Sequence, residues 1–178
     1  MTVAQRFLER SRYYLGLEYP AKIRAALLAM PADRIWWRPH ESSNSAGNLV
    51  LHLVGNVTQW IVGGVGRQNT ERHRDQEFSA RGGPDAAGLV TLLDETLARV
   101  DAVLAGLTED SLMEEREIQG RRTTVFSAIY HVVEHFSTHT GQIVLLGKMF
   151  AEPGAIRFYD DARNAAPMFL EGQRGDID

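Results

Sequence analysis

The chain has 178 residues, which suits one domain with a sizeable core, and its 44% hydrophobic content excludes a disordered protein. It has no cysteine, so disulfides and thiolate metal ligands are excluded, and we expect the protein in a reducing cytoplasm. A net charge of −4 with scattered arginines argues against nucleic-acid partners, and without a long apolar run we expect neither a membrane span nor a signal peptide.

Hydrophobic residues recur with helical spacing in four segments, and no segment shows a convincing strand pattern. The first predicted helix runs from about Val3 to Met30, with a kink or break at Pro20, which lacks a backbone donor. The second begins near Ser43–Ser45, where side chains can cap it, and ends at about Gly63-Gly64. The charged, glycine-rich segment Val65–Pro84 follows, and its length suits a crossover between two parallel helices.

The remaining two helices are predicted after this segment. The third runs from about Asp85 to Ala105, and the stretch Glu117–Thr124 is predicted to form a brief hairpin-like turn around Gly120. The fourth begins at Thr123 or Thr124 and ends at Phe150. We therefore predict an all-α protein, a four-helix bundle over residues 1–160, with a partly disordered tail at 161–178.

The six histidines are unevenly placed, and three of them lie in the fourth helix at steps of four: His131, His135 and His139. Each step of four advances about 40° around a helix, so the three side chains share one face. Neighbours four apart have Cβ atoms about 6 Å apart, which allows two imidazoles to bind one metal ion. The spacing does not tell which two of the three would bind.

A metal site needs a ligand from another helix, and His52 is the best candidate. It lies on the second helix in a polar stripe with Asn48, Asn56 and Gln59. Such a stripe on a core-facing helix makes sense if it faces a wet or metal-filled cavity. The other two histidines, His40 and His73, fall in predicted loops and are interpreted as surface residues.

The arrangement of His52 with the later run His131-x3-His135-x3-His139-Thr-Gly141-Gln142-Ile143 resembles the DinB/YfiT-like superfamily of metal-binding four-helix bundles. The stretches around Trp36-Trp37-Arg38-Pro39 and Asn44–Leu53 resemble one uncharacterised branch of it. The similarity extends from the first helix to about Tyr159, and the final histidine followed by x-Gly-Gln is its most specific element.

The resemblance implies an up-down-down-up bundle with Val65–Pro84 as the long crossover between helices two and three. It also implies a divalent metal site formed by His52, His135 and His139, with His131 as a neighbour rather than a ligand. Members of the superfamily bind zinc or nickel and are often homodimers. Several are transferases or isomerases that use low-molecular-weight thiols, and others are described as metal-dependent hydrolases.

Three imidazoles leave a metal ion with an open position, which can hold either hydroxide or a thiolate. Four residues are best placed to orient a water or a small-molecule substrate: His131, Asn56, Gln59 and Gln142. No obvious carboxylate base is present, which weakens the hydrolase interpretation, and the helix lacks the His-Glu-x-x-His pattern of zinc proteases. Thiol (S-) transfer to a small electrophile is the first hypothesis; a metal-dependent hydrolase and a non-catalytic metal-binding or sensing module are the alternatives.

Overall fold

The computed structural model describes residues 1–158, so the tail predicted at 161–178 lies outside the described residues. The helices are α1 (Val3–Tyr13), α2 (Tyr19–Ala29), α3 (Ala46–Val57), α4 (Arg74–Ser79), α5 (Ala86–Ala105) and α6 (Val125–Phe150), and the strands are β1 (Glu115–Ile118) and β2 (Arg121–Thr124). A π-helical segment, Tyr14–Glu18, joins α1 to α2, and a second, Thr58–Val65, extends α3. The predicted all-α class is confirmed, and no helix in the described range combines the length and apolarity needed to cross a bilayer.

The predicted helix starts follow from side chains that satisfy free backbone N–H groups. Ser45 Oγ accepts from the backbone of Asn48 at 3.1 Å, while Asn48 Oδ1 accepts from the backbone of Ser45 at 3.1 Å. This reciprocal capping box begins α3. Asp85 and Thr124 cap α5 and α6, each accepting from the backbone N–H three residues later.

The helix does not end at Pro20, where the sequence predicts a kink or break. Pro20 is the second residue of α2 and is preceded directly by the π-helical segment Tyr14–Glu18. The N–H of Tyr19 donates to the carbonyl of Tyr14, five residues back. In this wider turn the N–H groups donate to carbonyls five residues back instead of four. The hydrogen-bond pattern thus changes just before Pro20, which has no N–H group, and the chain continues as one helix.

Contacts between helices give the direction of each. Arg12 pairs with Asp101 and Arg24 pairs with Asp94, both at 2.7 Å, so the first helix and α5 are antiparallel. The rings of Phe7 and Phe126 lie 4.4 Å apart near the start of the first helix and of α6. At the other end Gly147 packs closely on Ala26. The first helix and α6 are therefore parallel.

The second bundle helix runs against α6 and alongside α5. The ring of Trp60 contacts His131, whereas that of His52 contacts His139, so α3 and α6 are antiparallel. At the far end of this helix Gly66 packs on Val103, near the end of α5. These directions make an up-down-down-up bundle, as the sequence resemblance implies. Its core combines apolar side chains of every bundle helix, among them Ile23, Leu27, Leu53, Val57, Leu93, Val100, Ile129 and Phe136.

The crossover between α3 and α5 is more structured than the sequence predicts. It contains the six-residue helix α4, which is too short to show periodicity. Asn48 ties it to α3, since its Nδ2 donates to the carbonyl of Glu77 at 2.8 Å and to that of Ala80 at 3.0 Å. Arg38 Nη2 also donates to the Ala80 carbonyl at 2.8 Å. The crossover is thus attached along the start of α3.

The predicted hairpin-like turn is present and is longer than expected. Strands β1 and β2 pair from Glu115 opposite Thr124 to Ile118 opposite Arg121, so the expectation of no strand was wrong for these short segments. The turn uses positive φ angles at Gln119 and Gly120. Ile118 packs so closely on Gly64 that a side chain there would overlap it. The hairpin is therefore held against the end of the second bundle helix.

The start of α3 is packed beneath the indole of Trp36. A Cβ placed on Gly47 would lie 2.8 Å from the ring, and one on Gly83 would lie 2.9 Å from its other side. Trp36 Nε1 donates to the carbonyl of Pro84 at 3.2 Å. The indole therefore joins the beginnings of α3 and α5, and this contact together with that of Gly66 and Val103 makes the two helices parallel.

We predict that Gly47→Ala destabilises the protein by about 1–3 kcal/mol, because the added methyl group overlaps the indole of Trp36. Urea unfolding monitored by circular dichroism measures the change. The matched control is Gly141→Ala in α6, where a Cβ would meet no heavy atom within 4 Å. The control should be as stable as the natural protein or slightly more so, because alanine favours a helix. Equal stability of both variants would contradict the packing described for Trp36.

Candidate metal centre

Three histidine side chains meet between α3 and α6. His52 projects from α3, and His135 and His139 project from successive turns of α6; one ring nitrogen of each lies within 4.8 Å of the other two. The Nε2 atoms of His52 and His135 are 3.0 Å apart. Two nitrogens on one tetrahedral zinc ion are roughly 3.3 Å apart, so the spacing of this pair fits a shared ion. The cluster could hold a divalent metal ion.

The outer ring nitrogens of two of these histidines have acceptor partners. His52 Nδ1 lies 2.9 Å from Glu77 Oε2, and His139 Nδ1 lies 2.6 Å from Gln142 Oε1. Arg72 Nη2 also lies 3.2 Å from His52 Nδ1, but it donates to Glu77 Oε2 at the shorter distance of 2.8 Å. With oxygen acceptors as the nearest partners, each Nδ1 is assigned the proton and donates it. Each Nε2 is then left with a lone pair, which is the form of imidazole that binds a metal. The donor set therefore fits a metal ion in its protonation as well as in its spacing.

The carboxylate that accepts from His52 is itself paired with an arginine from the crossover. Arg72 Nε donates to Glu77 Oε1 at 2.7 Å, and Arg72 Nη2 donates to Glu77 Oε2 at 2.8 Å. Both side chains are less than 10% exposed. Burial alone would raise the pKa of Glu77, but the hydrogen bonds from Arg72 and His52 outweigh burial and lower it. Glu77 is therefore ionised, and Arg72 balances its charge.

A glycine makes room for this carboxylate. Any side chain at Gly55 in α3 would overlap the carboxylate of Glu77. Because only a glycine leaves the helix surface bare, α4 can approach α3 closely enough for Glu77 to reach His52. The crossover, the glycine and the histidine thus form one packed unit.

The environment of the cluster keeps the imidazoles of His135 and His139 neutral. Burial, followed by the proximity of His139 and His52, lowers the pKa of His135 to about 3. Burial also lowers the pKa of His139, which the hydrogen bond to Gln142 only partly offsets. Both rings are therefore neutral at pH 7, so a metal ion does not have to compete with a second proton for the ring nitrogen.

The four residues predicted to orient a substrate have different roles. Gln142 is occupied with His139, as described above. Gln59 Oε1 accepts from Arg72 at 3.0 Å and from Gln119 at 2.6 Å, so it joins the crossover to the hairpin. His131 lies one turn before His135, its ring 4.4 Å from that of Trp60 and 5.6 Å from that of His135. It extends the row of histidines rather than joining the cluster.

Asn56, the fourth, is a buried residue of α3. Its Oδ1 is inaccessible to solvent and has no hydrogen-bond partner within residues 1–158. Asn48, which belongs to the same polar stripe, instead caps α3 and holds the crossover. The prediction that the whole stripe faces a cavity is therefore wrong for Asn48, whose polar atoms serve the fold.

The sequence did not reveal the partners of His52. Arg72 and Glu77 lie in the charged segment Val65–Pro84, where charges are usually interpreted as a solvated surface. His73, between them, is indeed exposed, and so is Glu71. No periodic pattern distinguishes the buried pair from these exposed neighbours, because α4 is only six residues long. The one available signal was a glycine within α3, at a position where alanine is favoured.

Residues 2–156 match a protein family described as DUF1572, a family of unknown function. The chain belongs to the DUF1572 family. No curated protein matches it.

Solved structures give this DUF1572 protein a DinB-like fold. A DinB-like protein from Bacillus cereus ATCC 10987 superimposes with a TM-score of 0.62 at 17% sequence identity, covering 83% of this chain and 94% of that chain. The DinB-like protein YjoA from Bacillus subtilis superimposes with a TM-score of 0.53 at 22% identity, covering 81% and 90%. The similarity predicted from the histidine motif is confirmed at the level of the fold.

We predict that Glu77→Gln weakens zinc binding by about 10–100-fold, because the neutral amide holds His52 less firmly and leaves Arg72 without its counter-charge. Competition with a chromophoric chelator measures the dissociation constant. The matched control is Glu71→Gln, which removes an exposed carboxylate from the same segment and should leave the affinity unchanged. Equal affinities of the two variants would show that Glu77 does not support a metal ligand.

We predict that the metal-free protein loses stability as the pH falls from about 6.5 to about 5. Histidines of the unfolded chain take up protons near pH 6.5, whereas the pKa of folded His135 is lowered to about 3, so the unfolded state binds more protons in this range. The carboxylates of Glu77 and Asp101, whose pKa values are below their ordinary 4.5 and 3.8, stay ionised there. Urea unfolding with a chelator present measures the effect, and His135→Gln should flatten the profile. A profile as steep in His135→Gln as in the natural protein would refute the assignment.

Proposed function

We propose that the protein is a metal-dependent S-transferase, which binds a divalent metal ion through His52, His135 and His139 and joins a thiol to a small electrophilic molecule. The observation that carries the proposal is the orientation of His52, whose Nδ1 proton is held by Glu77 while its Nε2 points to His135. Zinc or nickel as the native metal, and the homodimer implied by the superfamily resemblance, stay predictions.

The charges around the cluster favour an anionic ligand on the metal. The three imidazoles are neutral ligands, and the charge of Glu77 is balanced by Arg72 at 2.7 Å. The two positive charges of a bound ion would therefore remain uncompensated by the ligands and by this pair. An anion such as a thiolate at the open position reduces that charge, and a low-dielectric surrounding strengthens the attraction.

A divalent ion held by His52, His135 and His139 would stabilise the thiolate form of the thiol at neutral pH. The thiol loses its proton to water, and the sulfur lone pair attacks an electrophilic carbon of the second molecule. A sulfur–carbon bond forms while the bond from that carbon to its leaving group breaks, and the leaving group departs with the electron pair. No oxidant or reductant is consumed. The contribution of the protein is to hold the histidines neutral and to orient the two molecules.

Aromatic rings beside the cluster suit a small apolar electrophile. Phe78, on α4, lies 4.7 Å from the ring of His52. Trp60 and His131 form a second pair of rings on the hairpin side of the cluster, 4.4 Å apart. Aromatic surfaces bind planar and apolar groups without hydrogen bonds, so these rings are compatible with several electrophiles.

The hydrolase alternative is weakened because, within residues 1–158, the carboxylate that is hydrogen-bonded to a candidate metal ligand is not a free base. Glu77 is the carboxylate that contacts a candidate ligand, and both of its oxygens accept hydrogen bonds from Arg72. A carboxylate paired in this way is a poor proton acceptor, because protonation would break the pair with arginine. A metal-binding or sensing module without catalysis is the remaining alternative, and turnover measurements separate the three.

We predict about one metal ion per chain in freshly purified protein, lost in His52→Ala, His135→Ala and His139→Ala, because each variant removes one of three ligands. Mass spectrometry of the acid-digested protein measures the metal. His73→Ala is the matched control, since His73 is an exposed histidine of the crossover. Absence of metal from the natural protein, with no uptake on titration with zinc or nickel, would refute the proposed site.

The metal-loaded protein should conjugate 2-mercaptoethanol to monochlorobimane, with chelator and His135→Ala each abolishing the rate above background. Fluorescence of the conjugate measures turnover. Hydrolysis of nitrophenyl esters that persists without any thiol would favour the hydrolase instead. Stoichiometric metal with no turnover on either substrate would favour the non-catalytic module.

A further inference from the structure

Asn56 Oδ1, one turn after His52 in α3, is one of four buried side-chain polar atoms with no hydrogen-bond partner within residues 1–158; the others are Arg38 Nε, Arg116 Nε and Thr140 Oγ1. The polar stripe of α3 and its extension consists of Asn48, His52, Asn56 and Gln59. Asn48 Oδ1 accepts from Ser45 and Arg38, and its Nδ2 donates to two carbonyls of the crossover. Gln59 Oε1 accepts two hydrogen bonds. Asn56 differs from both, because its Oδ1 is buried and unpaired in the described range.

The register of the two helices places Asn56 next to the histidines. His52 contacts His135 and His139, and Trp60, two turns further along the same helix, contacts His131. Asn56 is halfway between His52 and Trp60 in sequence and lies on their side of the helix. This register brings Asn56 to about the level of His135, and Asn56 is 4% exposed.

A buried amide oxygen without a donor is unfavourable for the folded protein, and a leucine of similar size would avoid that cost. The other two amides of the stripe, Asn48 and Gln59, both have hydrogen-bond partners, so Asn56 is the exception among the three. An acceptor left unpaired next to a candidate metal centre therefore points to a donor supplied by a ligand.

We infer that Asn56 is a specificity-determining residue, whose Oδ1 accepts a hydrogen bond from an O–H or N–H group of the molecule that occupies the open metal position. The inference rests on the proposed metal site and narrows its ligand class to small thiols that carry a hydroxyl or amide donor near the sulfur. A thiol with a plain hydrocarbon chain would leave the oxygen of Asn56 unpaired.

The test uses the full chain loaded with Co²⁺, because a thiolate bound to cobalt gives a charge-transfer absorption band. Dissociation constants are measured for 2-mercaptoethanol and for 1-propanethiol, which differ by a hydroxyl in place of a methyl group. The preference for 2-mercaptoethanol over 1-propanethiol should be about tenfold greater in the natural protein than in Asn56→Leu, the effect of one buried hydrogen bond. Asn56→Asp, which keeps an acceptor, should retain the preference.

Stability of the metal-free variants separates a ligand-binding role from a structural one. Asn56→Leu should be at least as stable as the natural protein in urea, because it removes an unpaired acceptor. Asn48→Leu, the matched control in the same stripe, should be less stable, because it loses the cap and the crossover contacts. An unchanged thiol preference in Asn56→Leu, or loss of its folding, would overturn the inference. Failure of the natural protein to take up Co²⁺ would instead refute the proposed metal site itself.

Discussion

The hydrogen bond between Glu77 and His52 is the interaction on which the arrangement around the cluster depends. A buried carboxylate is stable only when its charge is balanced and its oxygens are paired, so Arg72 has to be buried with it. Both residues belong to the crossover, which must therefore lie against α3 rather than extend into solvent. The long connection that the up-down-down-up topology requires thus also supplies the outer partners of a candidate metal ligand.

Several separate contacts keep the crossover in this position. Asn48 holds it near the start of α3, and Gln59 connects Arg72 to Gln119 in the turn of the hairpin. The hairpin in turn packs on Gly64 through Ile118. Two segments outside the four-helix bundle are consequently linked through one glutamine next to the histidines.

The sequence was sufficient to predict the four bundle helices, because they are long periodic segments. Spacing also predicted that three histidines of α6 share one face, whereas the choice of His135 and His139 together with His52 came from the family resemblance. The steps of four in α6 place His135 and His139 on one face, and His52 lies on a helix that must pack against that face. The sequence could not predict α4, because so short a helix shows no periodicity. It could not predict the burial of Glu77 either, because a buried, paired glutamate and a solvent-exposed glutamate cannot be told apart from the residue type alone. The role of Asn48 was also beyond it, because a cap and a cavity-lining amide differ only in what surrounds them.

The absence of a side chain at Gly55 restricts which residues relatives of this chain can have at neighbouring positions. The glycine and Glu77 occupy adjoining space, so a relative with a larger residue at the position of Gly55 has no room for a glutamate at the position of Glu77. Loss of that glutamate removes the reason to bury an arginine at the position of Arg72. These three positions should therefore change together during divergence, and their joint presence would serve as a sequence signature of the crossover described for this protein.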